Sequence, residues 1–474
     1  MQTINRRVHL FLWFYVFFIM NQSSKSSNEN YGHILVVSCP LQGHAAPLIK
    51  LSHQMIKFGS KVTFLTTEFL HARLAEATAN SEIRLLSIPD GLELEDDRKD
   101  QKKLHQSIEK VVPPYLEDLL KESFNQQNND KISGIIIDSP LAWMLEIPKK
   151  MGIKTAIYWC STPGCLALGL MIPHLLQLKI IDDDGTSLKN EKIQLLPNMP
   201  AITMSEFTWY FPGDKNIQKS LFHVIKGVFS HLKSSDWIIC NWFHELDPSA
   251  GSLASNILSV GPLLANGQSA GSFCIEDSSC LTWLDKQTPN SVIYVAFGST
   301  SRFSQVQLNE LAMGLELMGR PFLWVAWSGL CDGPFPAYSD EFSARVANRG
   351  KMVEWAPQEL VLGHPSIACF VTHCGWSSFM ESLSMGVPLL CWPYFGDQMY
   401  TQSCICEAWK VGTSLEVDEI GVISRSEIKH KVEKLISDEI VRENVIRLKE
   451  MARKSISKGG NSWSNLEYLV QQMK

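Results

Sequence analysis

The stretch from Ile367 to Trp392 constrains the fold more than any other part of this chain. An apolar run, Ile367 to Val371, leads into Thr372-His373-Cys374-Gly375-Trp376. A helix-like segment, Ser377 to Met385, follows and stops at Gly386, and a second apolar run covers Pro388 to Trp392. Strand, tight turn, helix, glycine stop and strand make one βαβ unit. In such units ligands sit beyond the carboxyl ends of the strands, and anions collect at helix N-termini. His373 lies at that strand end, Ser377 and Ser378 at that helix start, and Glu381 one turn further on the face of Ser377.

The same rhythm runs through the rest of the chain. His33 to Ser38 reads as a strand, Pro40 to Ala46 as a loop holding Gly43-His44, and Pro47 as the first turn of a helix ending near Phe58. Further strands fall at Val62 to Thr66, Ile83 to Ile88, Ile132 to Ile137, Thr155 to Trp159 and Trp237 to Cys240. Helical segments between them include Lys103 to Val112 and Leu116 to Glu122. Ser249 to Ser279 is rich in Gly, Ser and Ala and reads as a linker. The βαβ pattern then restarts with strand Val292 to Phe297, turn Gly298-Ser299, helix Gln305 to Met318 and strand Phe322 to Ala326. The expected fold class is α/β, with two doubly wound parallel sheets. The expected division is an extension at 1–30, a first domain at 31–248, a linker at 249–279, a second domain at 280–458 and a closing helix at 459–474.

From Trp355 to Gln398 the chain reads WAPQELVLGHPSIACFVTHCGWSSFMESLSMGVPLLCWPYFGDQ. This segment resembles the signature box of the plant family-1 UDP-glycosyltransferases. The opening Trp, the APQ, the THCGW, the Glu, the GVP and the closing DQ stand in register. The resemblance extends from about Gly32 to the C-terminus, and IPDGLE at Ile88 to Glu93 with NSVIYVAFGS at Asn290 to Ser299 points to the branch numbered 83. It implies the GT-B architecture, two Rossmann-like domains facing across a cleft, with the last helix crossing back to the first domain.

The resemblance also implies roles. Trp355 would stack on uracil while the Ala356 backbone pairs the base edge, and stacking on an aromatic face is worth about 1–3 kcal/mol. His373, Ser378, the helix start around Trp376 and Ser377, and the hydroxyl of Ser299 would hold the diphosphate. Gln358 and Glu381 are candidates for the ribose hydroxyls, since a carboxylate suits a vicinal diol. Asp397 and Gln398 would bind the sugar, and Gln rather than His at the end of the box points to a glucosyl donor; the plain alternative is that Asp397 caps the next helix. The family usually has Asn where this chain has Ser377, and Gly where it has Ala368. His44 follows a glycine at the end of the first strand and matches the family's catalytic histidine. Asp138 ends another strand of the same sheet and would bond the other ring nitrogen. Trp143, Trp159 and the stretch Phe207 to Phe211 are read as walls for a flat phenolic or terpenoid acceptor, with ordinary core packing as the competing reading.

Composition excludes other classes. Net charge is only −6 and no basic stripe appears, which argues against a nucleic-acid partner. Twelve cysteines lack framework spacing; Cys39, Cys240, Cys369 and Cys391 sit in or beside apolar strands, as reduced buried thiols do. Cys404-Ile405-Cys406 is too tight for a zinc pair, and Asp182-Asp183-Asp184 reads as a solvated turn rather than a metal-binding DxD. No metal or other cofactor is expected; UDP-glucose would be a co-substrate, a small lipophilic molecule the acceptor, and the protein a monomer. Arg6-Arg7 before the apolar run Val8 to Met20 resembles a signal peptide or anchor, though the run is short for a span and no cleavage site follows. Family members start near His33 and work in the cytosol. Residues 1–30 are therefore either an upstream start wrongly included or a weak attachment to the endoplasmic-reticulum membrane; a cytoplasmic location is expected. Two other functions compete. A dehydrogenase is disfavoured because no G-x-G-x-x-G follows the first strand, and a non-catalytic UDP-sugar-binding protein is disfavoured by His44 with Asp138.

Overall fold

The computed structural model describes residues 32–474, apart from 80, 94, 97, 99, 126–130, 190, 268–270 and 331–338. The apolar run Val8 to Met20 lies outside the described residues, and among these no helix is long and apolar enough to cross a membrane.

The strands form two all-parallel sheets among the described residues. The first holds β1 (His33–Val37), β2 (Lys61–Thr67), β3 (Arg84–Ile88), β4 (Ile132–Asp138), β5 (Lys154–Trp159), β6 (Trp237–Cys240) and β7 (Ile257–Ser259), in the order β3-β2-β1-β4-β5-β6-β7. The second holds β8 (Val292–Ala296), β9 (Phe322–Val325), β10 (Gly350–Val353), β11 (Ile367–Thr372), β12 (Leu389–Cys391) and β13 (Gly412–Ser414), in the order β10-β9-β8-β11-β12-β13. Each sheet is doubly wound, and the strand order reverses between β1 and β4 and between β8 and β11. Ligands of such sheets bind at these switch points. All five residues of β1, all five of β8 and all six of β11 are buried, as expected for parallel strands covered on both faces.

Several boundaries differ from the sequence reading. The first helix spans Gln42–Lys57 and so begins before Pro47. Proline is tolerated there because only the Gly43 carbonyl, in the first turn, loses its partner. The two segments expected at 103–112 and 116–122 are one helix, Gln101–Asn125, running through Pro113-Pro114. Leu104, Ile108, Val112, Leu116 and Leu120 recur every fourth residue and are all buried, and this apolar stripe outweighs the proline penalty.

The segment 249–279 is not all linker. β7 pairs in parallel with β6, Ile238 opposite Ile257, and so extends the first sheet to Ser259. The small residues around β7 hid it, but Ile257 and Ser259 are buried in the sheet. The connection after it is pinned: Val260, Leu263 and Leu264 are buried, and Asn241 Oδ1 accepts the Leu263 N–H at 2.8 Å. The last helix, Asn461–Gln472, packs on the first domain. Its Leu466, Leu469 and Val470, with Met473, share a core with Ile34, Val36 and Ile136.

The two domains also meet through side chains. Trp376 Nε1 donates to the Asn241 carbonyl at 2.8 Å, and Trp409 Nε1 to that of Leu246 at 3.2 Å. Ser161 Oγ donates to Asp397 at 2.6 Å.

Candidate functional site

A cavity of about 650 Å³ lies between the carboxyl ends of the two sheets, within the size range of small-molecule sites. On the first-domain side the register Val37 opposite Ile137 brings the ends of β1 and β4 together. Asp138, fully buried, therefore faces the loop after β1. Its carboxylate accepts the Cys39 N–H at 3.1 Å and lies 2.9 and 3.1 Å from His44 Nδ1. Facing a carboxylate, Nδ1 carries the proton, so the lone pair of neutral His44 is on Nε2. Cys160 Sγ stands 3.9 Å from that nitrogen. Burial alone would lower the His44 pKa, but Asp138 and then Cys160 more than reverse this, and it sits well above the ordinary histidine value.

On the second-domain side His373 follows β11 and lies between two glycines. A Cβ on Gly298 would come within 2.6 Å of His373 Nε2, and one on Gly375 within 2.4 Å. Gly298 also has φ +68°, which favours glycine on its own account. Burial pushes the His373 pKa down to about 4, so its ring is neutral near pH 7 and offers an N–H rather than a charge. The helix Trp376–Met385 starts beside it. Ser378 and Glu381, one turn apart, are bound together by Gln358, whose Nε2 donates to Ser378 Oγ at 2.9 Å and to Glu381 Oε2 at 2.7 Å. The Gln358 Oε1 accepts from Tyr294 at 3.3 Å. Gln358 thus orders the other two groups, and both of its amide hydrogens are used.

The cavity brings together His44 with Ser299, Trp355, Ala356, Gln358, His373 and, from the helix start, Trp376, Ser377, Ser378 and Glu381. Asp397 and Gln398 line it too. Asp138 stands behind His44. Trp376 is almost fully buried and its indole N–H is spent on Asn241, so its ring joins the domains and leaves mainly backbone to a ligand. Asp397 is the first residue of the helix Asp397–Ser403 and Gly396 is the cap. The Asp397 carboxylate reaches Ser161 instead, and burial raises its pKa. Gln398 Oε1 accepts the N–H groups of Tyr394 and Phe395 at 2.8 and 3.1 Å, which shapes the loop before it.

The acceptor side needs correction. Trp159 lines the cavity, but Trp143 is not among its lining residues; it is partly buried and packs against the hydrophobic core. Phe207 and Trp209 are buried in an aromatic group with Phe222, and Trp209 Nε1 donates to the Gly185 carbonyl. Of the stretch Phe207 to Phe211 only Thr208 reaches the cavity. The apolar wall comes instead from the helix Lys215–Leu232, through Val224, Ile225, Val228 and Phe229. Their i, i+1, i+4, i+5 spacing is readable, but a stripe on that helix looks like any core-facing stripe. Lys50, Cys160, Ser161 and Glu359 also line the cavity and carried no sequence signal.

Asp182 accepts the N–H groups of Asp184 and Thr186 within its own turn, and Asp184 pairs with Lys219. Cys404 is buried in a helical turn as a free thiol.

Residues 259–456 match the family model "UDP-glucoronosyl and UDP-glucosyl transferase". UDP-glycosyltransferase 83A1 of Arabidopsis thaliana is 38% identical over 468 residues, covering 95% of this chain and 98% of that protein. The chain belongs to the UDP-glycosyltransferase family. As in the other family members, UDP-sugar is the donor class. Among solved structures, a Phytolacca americana glycosyltransferase in complex with UDP-2fluoro-glucose and pterostilbene is 26% identical, covers 93% of this chain and 99% of its own, and has a TM-score of 0.77. A UDP-glucosyltransferase from Polygonum tinctorium, solved with 3,4-dichloroaniline, shares the fold with a TM-score of 0.80 at 24% identity, covering 94% and 99%. The fold of this glycosyltransferase is therefore GT-B.

Proposed function

We propose that this enzyme transfers glucose from UDP-glucose to a hydroxyl, or a carboxyl, of a small lipophilic acceptor such as a flavonoid, another phenolic or a terpenoid, giving a β-glucoside. The observation that carries this is the shared cavity: the His44–Asp138 pair and the His373 helix start face one space from opposite sheets. The relatives add support, since the Phytolacca protein was solved with a UDP-glucose analogue and a phenolic stilbene.

In this reading the uracil stacks on Trp355 and the ribose hydroxyls meet Glu381. The diphosphate sits at the N-terminus of Trp376–Met385, near Ser299, Ser377, Ser378 and His373. Helix amides and a neutral imidazole N–H stabilise the charge that develops on departing UDP, and no metal is needed. Asp397 and Gln398 border the sugar. Trp159 and the helix Lys215–Leu232 hold the acceptor ring, with its hydroxyl toward His44 Nε2. As the acceptor oxygen attacks the anomeric carbon, its proton passes to Nε2 and Asp138 stabilises the imidazolium. The C–O bond to UDP breaks on the opposite face, so one displacement inverts the α-linked donor.

The test is incubation with UDP-glucose and a panel of phenols, followed by mass and anomeric coupling of the product. A β-glucoside supports the reading. UDP-sugar binding without turnover would make the protein a binder, and an α-glucoside would reject the inverting step.

A further inference from the structure

Lys50 lies about two turns beyond His44 on the first helix and has no part in the mechanism above. It is 4% exposed, and it is a first-domain residue. Yet its ammonium sits 2.6 Å from Glu381 Oε1 in the second domain and also pairs with Glu359. Glu359 accepts the Ala265 N–H from the connecting segment at 2.9 Å. Glu276 belongs to the same group: burial raises its pKa, Lys50 lowers it, and Glu359 and Glu381 raise it again. Burial alone would lower the Lys50 pKa, but Glu381 and then Glu359 more than reverse that, so the ammonium stays charged.

This cluster forms the cavity wall that carries the ribose candidate Glu381, and Lys50, Glu276, Glu359 and Glu381 all line the cavity. The Glu381 oxygens are held separately, one by Lys50 and one by Gln358. A carboxylate has about four lone-pair sites, so both oxygens can still accept a hydroxyl. Without Lys50, Glu359 and Glu381 would face each other buried and without a cation, which is costly. A nucleoside diphosphate adds further negative charge close by.

We infer that Lys50 is a positioning residue for the UDP-sugar: the acceptor domain supplies the cation that holds Glu381 toward the ribose hydroxyls and keeps that wall from repelling an anionic donor. This rests on the reading of Glu381 as the ribose ligand. Binding of the donor is thereby tied to the contact between the two domains.

The test uses the full chain, with UDP affinity by calorimetry and both Michaelis constants for Lys50→Met, Lys50→Arg and Glu381→Ala. Lys50→Met should weaken UDP and raise the donor KM by about tenfold or more, the loss of one hydrogen bond to a charged group. The rate at saturating donor and the acceptor KM should stay near wild type, and Lys50→Arg should recover most of the affinity. UDP binding unchanged or tighter in Lys50→Met would overturn the proposal, as would a fall in kcat with the donor KM unmoved, which would mean that the helix had shifted under His44. If Lys50→Met does not fold, Lys50→Met with Glu359→Gln removes the charge pair together, and the same loss of UDP affinity is expected. Intact UDP binding in Glu381→Ala sinks the ribose reading itself, whereas weakened binding there with normal binding in Lys50→Met sinks only the role of Lys50.

Discussion

His44 shows how one residue's chemistry depends on a neighbour far away in sequence. Asp138 fixes its tautomer and raises its pKa. His44→Ala should lower turnover with a phenolic acceptor by about 10²–10⁴-fold while leaving UDP affinity unchanged; an unchanged rate would remove His44 from the base role. The sign of the pH effect follows. A base must be deprotonated, and the His44 pKa is raised, so kcat/KM should climb with pH on a limb lying above the ordinary histidine value of about 6.5. Asp138→Asn should move that limb to lower pH and lower its plateau; a limb that stays in place would assign it to another group. Ser377 stands where the family usually has Asn, half-buried at the cavity wall. Ser377→Asn should lower the donor KM modestly, because one hydrogen bond to a charged group contributes about 1.5–3 kcal/mol at most, and a water already bridging serine to phosphate would reduce the gain. A higher donor KM would show that the pocket has packed around serine.

Among the elements, the helix Lys215–Leu232 is named by no reading of the sequence above, either as a helix or as a binding wall. Its Phe222 and Leu232 face the core, while Val224 is 51% exposed and Ile225, Val228 and Phe229 line the cleft. Val224→Asp together with Val228→Asp should raise the KM for an apolar acceptor by about tenfold or more, since two apolar contacts are replaced by hydrated charges. The donor KM should hold, because no donor-side candidate lies on this helix; equal effects on both constants would point to a disturbed fold. The helix Trp376–Met385 was read almost to the residue, because a strand, a glycine and a hydroxyl-rich start mark its N-terminus and Gly386, at φ +78°, its end. Trp143 and Trp209 were read as site residues because an aromatic side chain looks the same in sequence whether it faces a cavity or the core. Packing against segments distant in sequence decides between the two, as when Trp209 meets Phe222 and the Gly185 carbonyl.

At the scale of the molecule, the two domains meet through contacts made by Trp376, Trp409, Asp397 and Lys50. UDP-glucose should be used faster than UDP-galactose or UDP-glucuronate in side-by-side rate assays, with Asp397 and Gln398 reading the sugar hydroxyls; equal rates would show that these residues do not select. EDTA should leave turnover intact, and its loss would refute metal-free departure of UDP. The sequence by itself determined the α/β class, the family, the order of strands and helices, and most residues at the strand ends. Those follow from local periodicity, capping and a dense motif, all carried by neighbours in the chain. The family resemblance already implied that Asp138 meets His44, and the two stand 2.9 Å apart. Only the tertiary structure decided that Gln358 is committed to Ser378 and Glu381, that β7 belongs to the first sheet, and that Lys50 crosses the cleft. Each of these is a contact between segments far apart in sequence, set by strand register and domain docking, for which no local pattern of side chains carries a signal.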